Sequence, residues 1–247
     1  MSPDPTTLLV VPCYNESERL DTQAFSEFVQ TYPNTSILFV NDGSTDATEQ
    51  VLASLSRQSD RMHTLDLERN GGKAEAVRLG MLWSVERNYD FAGYLDADLS
   101  TPLHEISNLI HGFGASEIDI VTAARIKMVG RNINRNPFRH YSGRAFATAV
   151  SLLFGIEMYD TQCGAKLFRT GDYLEQIFRA PFITRWVFDV ELFVRFSGCP
   201  GKSVEQNLVE VPLTEWRDVS GSKMRPGDFL KAPLELLKIH HHYFGSS

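Results

Sequence analysis

The first half of the chain alternates short β-branched or aromatic runs with helix-patterned stretches, and every run ends on polar residues. TLLVVP (7–12) leads into PCYNE, SILFVN (36–41) into NDGSTD, HTLDL (63–67) into ERNGGK, FAGYLD (91–96) into DADLSTP, and DIVTAA (119–124) into AAR. Helical patterns fall between them, near 22–31, 46–58, 72–88 and 103–115. This rhythm constrains the fold strongly, because adjacent strands joined by crossover helices must pair in parallel. It predicts an α/β fold, a mostly parallel sheet flanked by helices on both faces. Ligands in such sheets collect at the carboxyl ends of the strands. The five polar termini are therefore expected to line one crevice.

The second half is less regular. It holds a near-uniformly apolar stretch at 142–155, a loop DTQCGAKLFR (160–169), a segment RWVFDVELFVRF (185–196), a strand VEVPL (209–213) and a C-terminal helix from about Asp228 to Tyr243. No internal repeat and no low-complexity linker interrupts it, so 1–247 reads as a single domain, and 43% hydrophobic content supplies its core. The longest apolar window, at 145–155, falls short of the roughly 20 residues that a membrane-spanning helix needs. The N-terminus lacks the basic start of a signal peptide. Three cysteines without metal-type spacing fit a reducing compartment, so a cytoplasmic location is expected.

A net charge of −7 argues against nucleic acid as a partner. The distribution says more. Residues 125–144 carry Arg125, Lys127, Arg131, Arg135, Arg139 and Arg144 with no Asp or Glu. Such a run is either a solvated face or a seat for a polyanion, most simply phosphate. The 142–155 helix is either buried core or partly dipped into a bilayer interface. In the C-terminal helix, Leu230, Leu234 and Leu237 fall on one side and read as core or partner contacts.

The strand ends supply the chemistry. Pro12, Tyr14, Asn15 and Glu16 offer an aromatic face and a carboxylate, suited to a nucleobase or to an ordinary turn. Asp42 follows its strand directly and is a ligand candidate for base or ribose, whereas Asp46, with Glu49 three residues on, reads as a helix cap. The GGK triplet is either a plain glycine turn or an anion site of backbone N–H groups and the Lys73 ammonium. Asp96 and Asp98 alternate at a strand end, so both can face one side. Two close carboxylates repel unless a cation lies between them or one is protonated. Mg²⁺ or Mn²⁺ suits the pair, with water and substrate phosphate completing the shell.

PCYNE, VNDGSTD, NGGKAEAVRLGM and YLDADLSTP, in this order and spacing, resemble an inverting family 2 glycosyltransferase of GT-A (Rossmann-like) fold. The likeness covers nearly the whole chain. DTQCGAKLFR, RWVFDVEL and EWRDVSGSK resemble the branch that loads a sugar onto polyprenyl or dolichyl phosphate, the dolichyl-phosphate β-glucosyltransferases with the mannose synthases as neighbours. The resemblance implies a nucleotide-sugar half at 1–124 and an acceptor half at 125–247. It implies that Pro12, Tyr14, Glu16 and Asp42 hold the nucleoside, with Lys73 nearby, and that Asp96 and Asp98 meet the donor and the metal. Arg125, Arg139 and Ser142 would meet donor and acceptor phosphates, with Arg131 or Arg135 able to stand in for Arg139. Arg217 and Lys223 would lie on a loop closing over the diphosphate. One departure stands out: the mannose synthases have a metal-binding Gln where this chain has Ser100, which predicts weaker or water-mediated coordination.

The implied reaction is inverting transfer of a hexose from a nucleotide sugar, UDP-glucose with GDP-mannose as rival, and metal and Arg/Lys groups stabilise the departing phosphate. A lipid monophosphate, with a second pKa of about 6, is already ionised at neutral pH and hardly needs a general base. A saccharide hydroxyl needs one, and Asp189 or Glu191 in FDVEL is the candidate, unless that segment is simply core helix. The six cations favour a phosphate acceptor at an anionic membrane surface. The expected partners are thus a nucleotide-sugar donor and a lipid phosphate, with peripheral membrane association and room for an anchoring partner protein. A non-catalytic nucleotide-sugar-binding protein is the alternative from another class. A sugar nucleotidyltransferase is disfavoured, since no glycine-rich, lysine-bearing loop lies near the N-terminus.

Overall fold

The computed structural model describes residues 5–219 and 226–245. The first half alternates as its pattern predicts: β1 (Thr7–Cys13), α1 (Thr22–Thr31), β2 (Thr35–Asn41), α2 (Thr48–Ser56), β3 (Met62–Asp66), α3 (Lys73–Val85), β4 (Phe91–Tyr94), α4 (Glu105–His111) and β5 (Ile120–Ala124). The second half adds β6 (Asn132–Asn134), α5 (Pro137–Phe154), β7 (Lys166–Arg169), α6 (Asp172–Phe178) and α7 (Phe188–Ser197). After these come α8 (Val204–Asn207), β8 (Leu208–Pro212), β9 (Glu215–Arg217) and α9 (Pro226–Phe244).

Seven strands form one sheet in the order β3-β2-β1-β4-β7-β5-β8, and β6 pairs with β9 in a two-stranded ribbon. All pairings in the large sheet are parallel except those of β7, which runs antiparallel between β4 and β5. Side chains alternate across each strand. Leu8 and Val10 of β1 therefore enter one core with α3, α6 and α7, while Leu9 and Val11 enter the other with α1, α2 and α4. Each fully buried Leu or Val contributes roughly 1.5–3 kcal/mol relative to an exposed one. The two cores thus fix the sheet, and with it the positions of the strand ends.

Several elements depart from expectation. DTQCGAKLFR is not merely a loop, because its last four residues are β7, a central strand. A strand of four residues behind a Gly-Ala pair leaves almost no periodic signal. Gly93 on β4 makes room for it, since a Cβ there would collide with the Lys166 carbonyl. α5 starts at Pro137 rather than 142, because Asn136 accepts from the Phe138 N–H at 2.9 Å and Pro137 supplies a first-turn residue that needs no donor. α5 buries only Ala147 and Val150, so it is not core all round. In α9, Leu236 and Ile239 face the core while Leu234 and Leu237 are exposed, so of the two expectations for that leucine side, core or partner contact, the core one fails for these two residues. The side chain of Leu230 lies outside the described residues. No helix among the described residues is long and apolar enough to cross a membrane.

Candidate active site

The carboxyl ends of β1, β2 and β4 open beside the amino end of α3. After β1, Asn15 adopts a left-handed φ of 49°, which its short amide side chain tolerates, and its Oδ1 accepts from the Thr45 N–H at 2.8 Å. The Asn15 N–H in turn donates to Ser44 Oγ at 3.0 Å, and the Glu16 N–H donates to Thr48 Oγ1 at 2.8 Å. The first two loops are thereby knitted into one wall, which holds Pro12 and Tyr14 half-exposed and Glu16 buried. Asp46 accepts from Thr48 N at 3.0 Å and from Ser17, so it caps from one residue before the formal N-cap, Ala47.

Asp42 is buried. Its two carboxylate oxygens accept from the Gly71 and Gly72 N–H groups at 2.7 and 2.9 Å. Burial nevertheless pushes its pKa above the ordinary value, against the pull of those two donors and of Arg185. The GGK turn is thus anchored by Asp42, with Gly72 at φ 91°, a conformation a side chain would strain. Lys73, the first residue of α3, forms an ion pair with Asp96. Burial works against its charge, yet Asp96, Asp189 and Asp98 hold the ammonium above its usual pKa.

Asp96 and Asp98 are both half-exposed. Gly164 packs directly on the Asp96 carboxylate, where any Cβ would overlap it. Asp98 Oδ1 accepts from the Ser100 N–H at 2.9 Å, across Leu99, which is held at φ 52°. That conformation costs a non-glycine residue about 1–2 kcal/mol, and burial of the Leu99 side chain in the core offsets it. The backbone strain fixes where Asp98 points. The Ser100 carbonyl accepts from the Arg217 N–H at 3.2 Å, tying β9 to this corner. Two hard carboxylates with oxygens still open suit a divalent cation whose remaining ligands come from solvent and diphosphate. Among the described residues no cluster of three or more His, Cys, Asp or Glu offers a fuller protein cage.

Arg125 is held by Asp160 through Nε at 2.6 Å and Nη2 at 2.7 Å, both groups largely buried. Burial opposes each charge, but the mutual attraction wins, raising the arginine and lowering the aspartate. Arg135 turns inward beside this pair, its Nη2 2.8 Å from where a Cβ on Gly143 would lie. Burial first, and then the Arg125 charge, depress its pKa. Arg139 pairs with Asp218 just after β9, and Ser142 Oγ donates to the Phe138 carbonyl at 2.8 Å within α5. Arg217 is exposed at the end of β9, and Lys223 lies outside the described residues.

The FDVEL acids lie in buried ion pairs. Asp189 is 5% exposed. Its Oδ1 accepts from Lys166 Nζ at 2.7 Å and from the Tyr94 hydroxyl. Glu191 has no exposed surface; it is held by Arg195 at 2.6 Å, by Tyr243 Oη at 3.0 Å and by the Ile183 N–H at 2.9 Å. In this arrangement the oxygens of both acids are engaged by protein donors. FDVEL is a brace under the crevice, since Tyr94 precedes Asp96 by two residues on the same face of the chain.

Two residues escaped the sequence reading. Arg185 Nε lies 3.8 Å from the Cβ position of Gly72, is exposed, and among the described residues forms no ion pair. Its signal was the RW pair before FDVEL, a segment read only for its acids. Glu105 is fully buried at the start of α4, and its Oε1 accepts from the Thr214 and Glu215 N–H groups at 2.7 and 2.9 Å. It pins the corner leading into β9, and nothing in its local pattern distinguishes it from a surface acid.

The chain is similar to known proteins. The model for glycosyl transferase family 2 matches residues 8–174. The chain belongs to that family. A dolichyl-phosphate beta-glucosyltransferase of Drosophila melanogaster is 32% identical over 245 residues, covering 91% of this chain and 71% of that protein. One from Trichomonas vaginalis is 30% identical over 246 residues, covering 94% and 70%. Among solved structures, glucosyl-3-phosphoglycerate synthase of Mycobacterium tuberculosis with Mn²⁺, UDP and its product superposes with a TM-score of 0.67 at 15% identity, over 98% of this chain and 81% of that one. The Pyrobaculum calidifontis mannosyltransferase with GDP-mannose and Mn²⁺ gives 0.62 at 15%, over 96% and 63%. These distant structures establish the GT-A-like fold. The chain is a family 2 glycosyltransferase of the dolichyl-phosphate glucosyltransferase-like kind.

Proposed function

We propose that the protein transfers glucose from UDP-glucose to a polyprenyl or dolichyl phosphate, inverting the anomeric centre. One observation carries the choice of acceptor: both FDVEL acids are buried in ion pairs, which favours a nucleophile that arrives already charged. A phosphate monoester does so at neutral pH, and the excess of cations over acids among Arg125, Arg135 and Arg139 supports it, with one neutralising acid each for Arg125 and Arg139. The relatives' activity supports the glucosyl donor.

Asp98, with Asp96, would hold Mg²⁺ or Mn²⁺, which when bound neutralises charge on the donor diphosphate. The protein's own groups do the rest. The wall of Pro12, Tyr14 and Glu16 would seat the nucleoside, and Asp42 keeps the GGK turn shaped beside it. Lys73 holds Asp96 in line and adds a positive charge near the departing phosphate. Arg135 and the neighbouring cations would orient the acceptor phosphate opposite the leaving group. Ser142 and Arg217 would stand at the rim of the same opening.

The test is a donor panel of UDP-glucose and GDP-mannose with Mn²⁺ and a short polyprenyl phosphate, following released nucleoside diphosphate. Release that needs UDP-glucose and the lipid phosphate, and that stops with EDTA or in Asp98→Asn, supports the reading. Release that is equal with a saccharide hydroxyl, or unchanged in Asp98→Asn, refutes it.

A further inference from the structure

We propose that Glu210, on the outer strand β8, is a positioning residue for Arg125 and acts through the turn at Tyr159 and Asp160. Its two carboxylate oxygens take the N–H groups of consecutive residues: Oε2 accepts from Tyr159 at 2.6 Å and Oε1 from Asp160 at 2.8 Å. Asp160 in turn accepts from the Arg125 backbone N–H at 3.1 Å, as well as from the guanidinium Nε and Nη2. Nη1 takes no part in that pair, so one end of the guanidinium remains for an anion. Arg144 adds a second hold on the turn. Its Nη1 donates to the Tyr159 carbonyl at 2.8 Å, and its guanidinium carbon lies 3.9 Å from the centre of the Tyr159 ring.

The same device occurs once more in the crevice. Asp42 grips the consecutive N–H groups of Gly71 and Gly72, and that turn presents Lys73 to Asp96. In both places a carboxylate holds two neighbouring backbone donors, and the turn so held supplies one member of an ion pair. Only a carboxylate suits both donors, because an amide would set its own NH₂ against one of them. The sheet register also ties Glu210 to the site. It lies beside Thr122 of β5, Thr122 beside Lys166 of β7, and Lys166 beside Tyr94 of β4. Cross-strand neighbours share a face. The four thus form a polar row across the sheet, with Asp96 two residues beyond Tyr94 and Arg125 three residues beyond Thr122. That Arg125 serves a phosphate rests on the proposed function; the linkage through Asp160 does not.

Steady-state kinetics of Glu210→Gln with UDP-glucose, Mn²⁺ and a short polyprenyl phosphate test this. The expected result is an acceptor KM raised about tenfold, with the donor KM unchanged. Glu205→Gln, at an exposed position on α8, should behave like the unmodified protein. A residue that acts through Asp160 adds nothing once Asp160 is changed, so Glu210→Gln combined with Asp160→Asn should match Asp160→Asn alone. A further readout needs neither turnover nor a folded Asp160→Asn variant. By nitrogen-15 NMR, exchange of the Arg125 Nε–H with water should quicken about tenfold in Glu210→Gln. The inference is overturned if that exchange is unchanged, if an active Glu210→Gln keeps its acceptor KM or raises both KM values together, or if the double variant loses the product of the two single losses. If the unmodified protein does not turn over the lipid phosphate while Glu210→Gln still quickens the Arg125 exchange, the proposed acceptor fails and the clamp stands.

Discussion

Replacing Lys166 with Met should destabilise the protein severely, although the side chains are similar in length and Lys166 touches no solvent. The ammonium donates to the Cys163 carbonyl at 2.6 Å and to Asp189 Oδ1 at 2.7 Å, and Asp189 is itself buried. Removing one member of a buried ion pair leaves an uncompensated charge, at a cost of about 3–5 kcal/mol. Against a total stability of roughly 5–15 kcal/mol, that is a large fraction. For a domain of this size each kcal/mol shifts the melting temperature by about 2–4 °C, so Lys166→Met should lower it by roughly 6–20 °C. Adding Asp189→Asn removes the stranded charge while keeping an oxygen for the Tyr94 hydroxyl. The double variant should therefore recover more than half of the loss. Differential scanning calorimetry on the two single variants and the double closes the cycle. A drop of under about 2 °C for Lys166→Met, or a double variant as unstable as the sum of the singles, would refute the brace.

Other substitutions probe the crevice itself. Gly164→Ala places a methyl group on the Asp96 carboxylate, so it should cut kcat/KM at least tenfold with a much smaller effect on melting temperature; parallel kinetics and melting curves check this. Arg185→Ala should raise the donor KM several-fold and leave kcat nearly unchanged, since Arg185 stands over the Gly72 turn without an ion-pair partner among the described residues; a matched loss in kcat would contradict that placement. Glu105 gives a pH signature. Burial raises its pKa, but hydrogen bonds from Thr214, Asn108 and the Glu215 and Thr214 N–H groups outweigh burial and bring it below the ordinary 4.5. Its stabilisation is therefore complete above pH 4.5 and is lost as pH falls through the lower folded value. Glu105→Gln should flatten that acid limb of a stability profile measured by urea titration.

The parallel half of the sheet was legible because β1, β2, β4 and β5 are apolar runs closed by turn residues, and their buried strands need no polar alternation. The strand-end motifs were legible for the same reason: the carboxylates of DADLS and the GGK turn sit where the chain leaves the sheet. β7 was not, because four residues carry too little period and its lysine is buried by a partner 23 residues away. The FDVEL acids looked available in the sequence for a related reason. Lys166, Tyr94 and Arg195 neutralise or bond them, and only the pairing of β4 with β7 and the packing of α7 reveal it. Arg125 behaved likewise, its counterion Asp160 lying in the stretch expected to be loop. What pattern reading misses for Asp189 and Arg125 is the long-range partner of a charge.

The most direct test of the account follows the sugar itself. With carbon-labelled UDP-glucose, Mn²⁺ and a short polyprenyl phosphate, NMR of the product should show the labelled anomeric carbon coupled to phosphorus in the β configuration. Label recovered as free glucose alone, or on a hydroxyl with no coupling to phosphorus, would contradict the claim that this crevice serves a phosphate nucleophile.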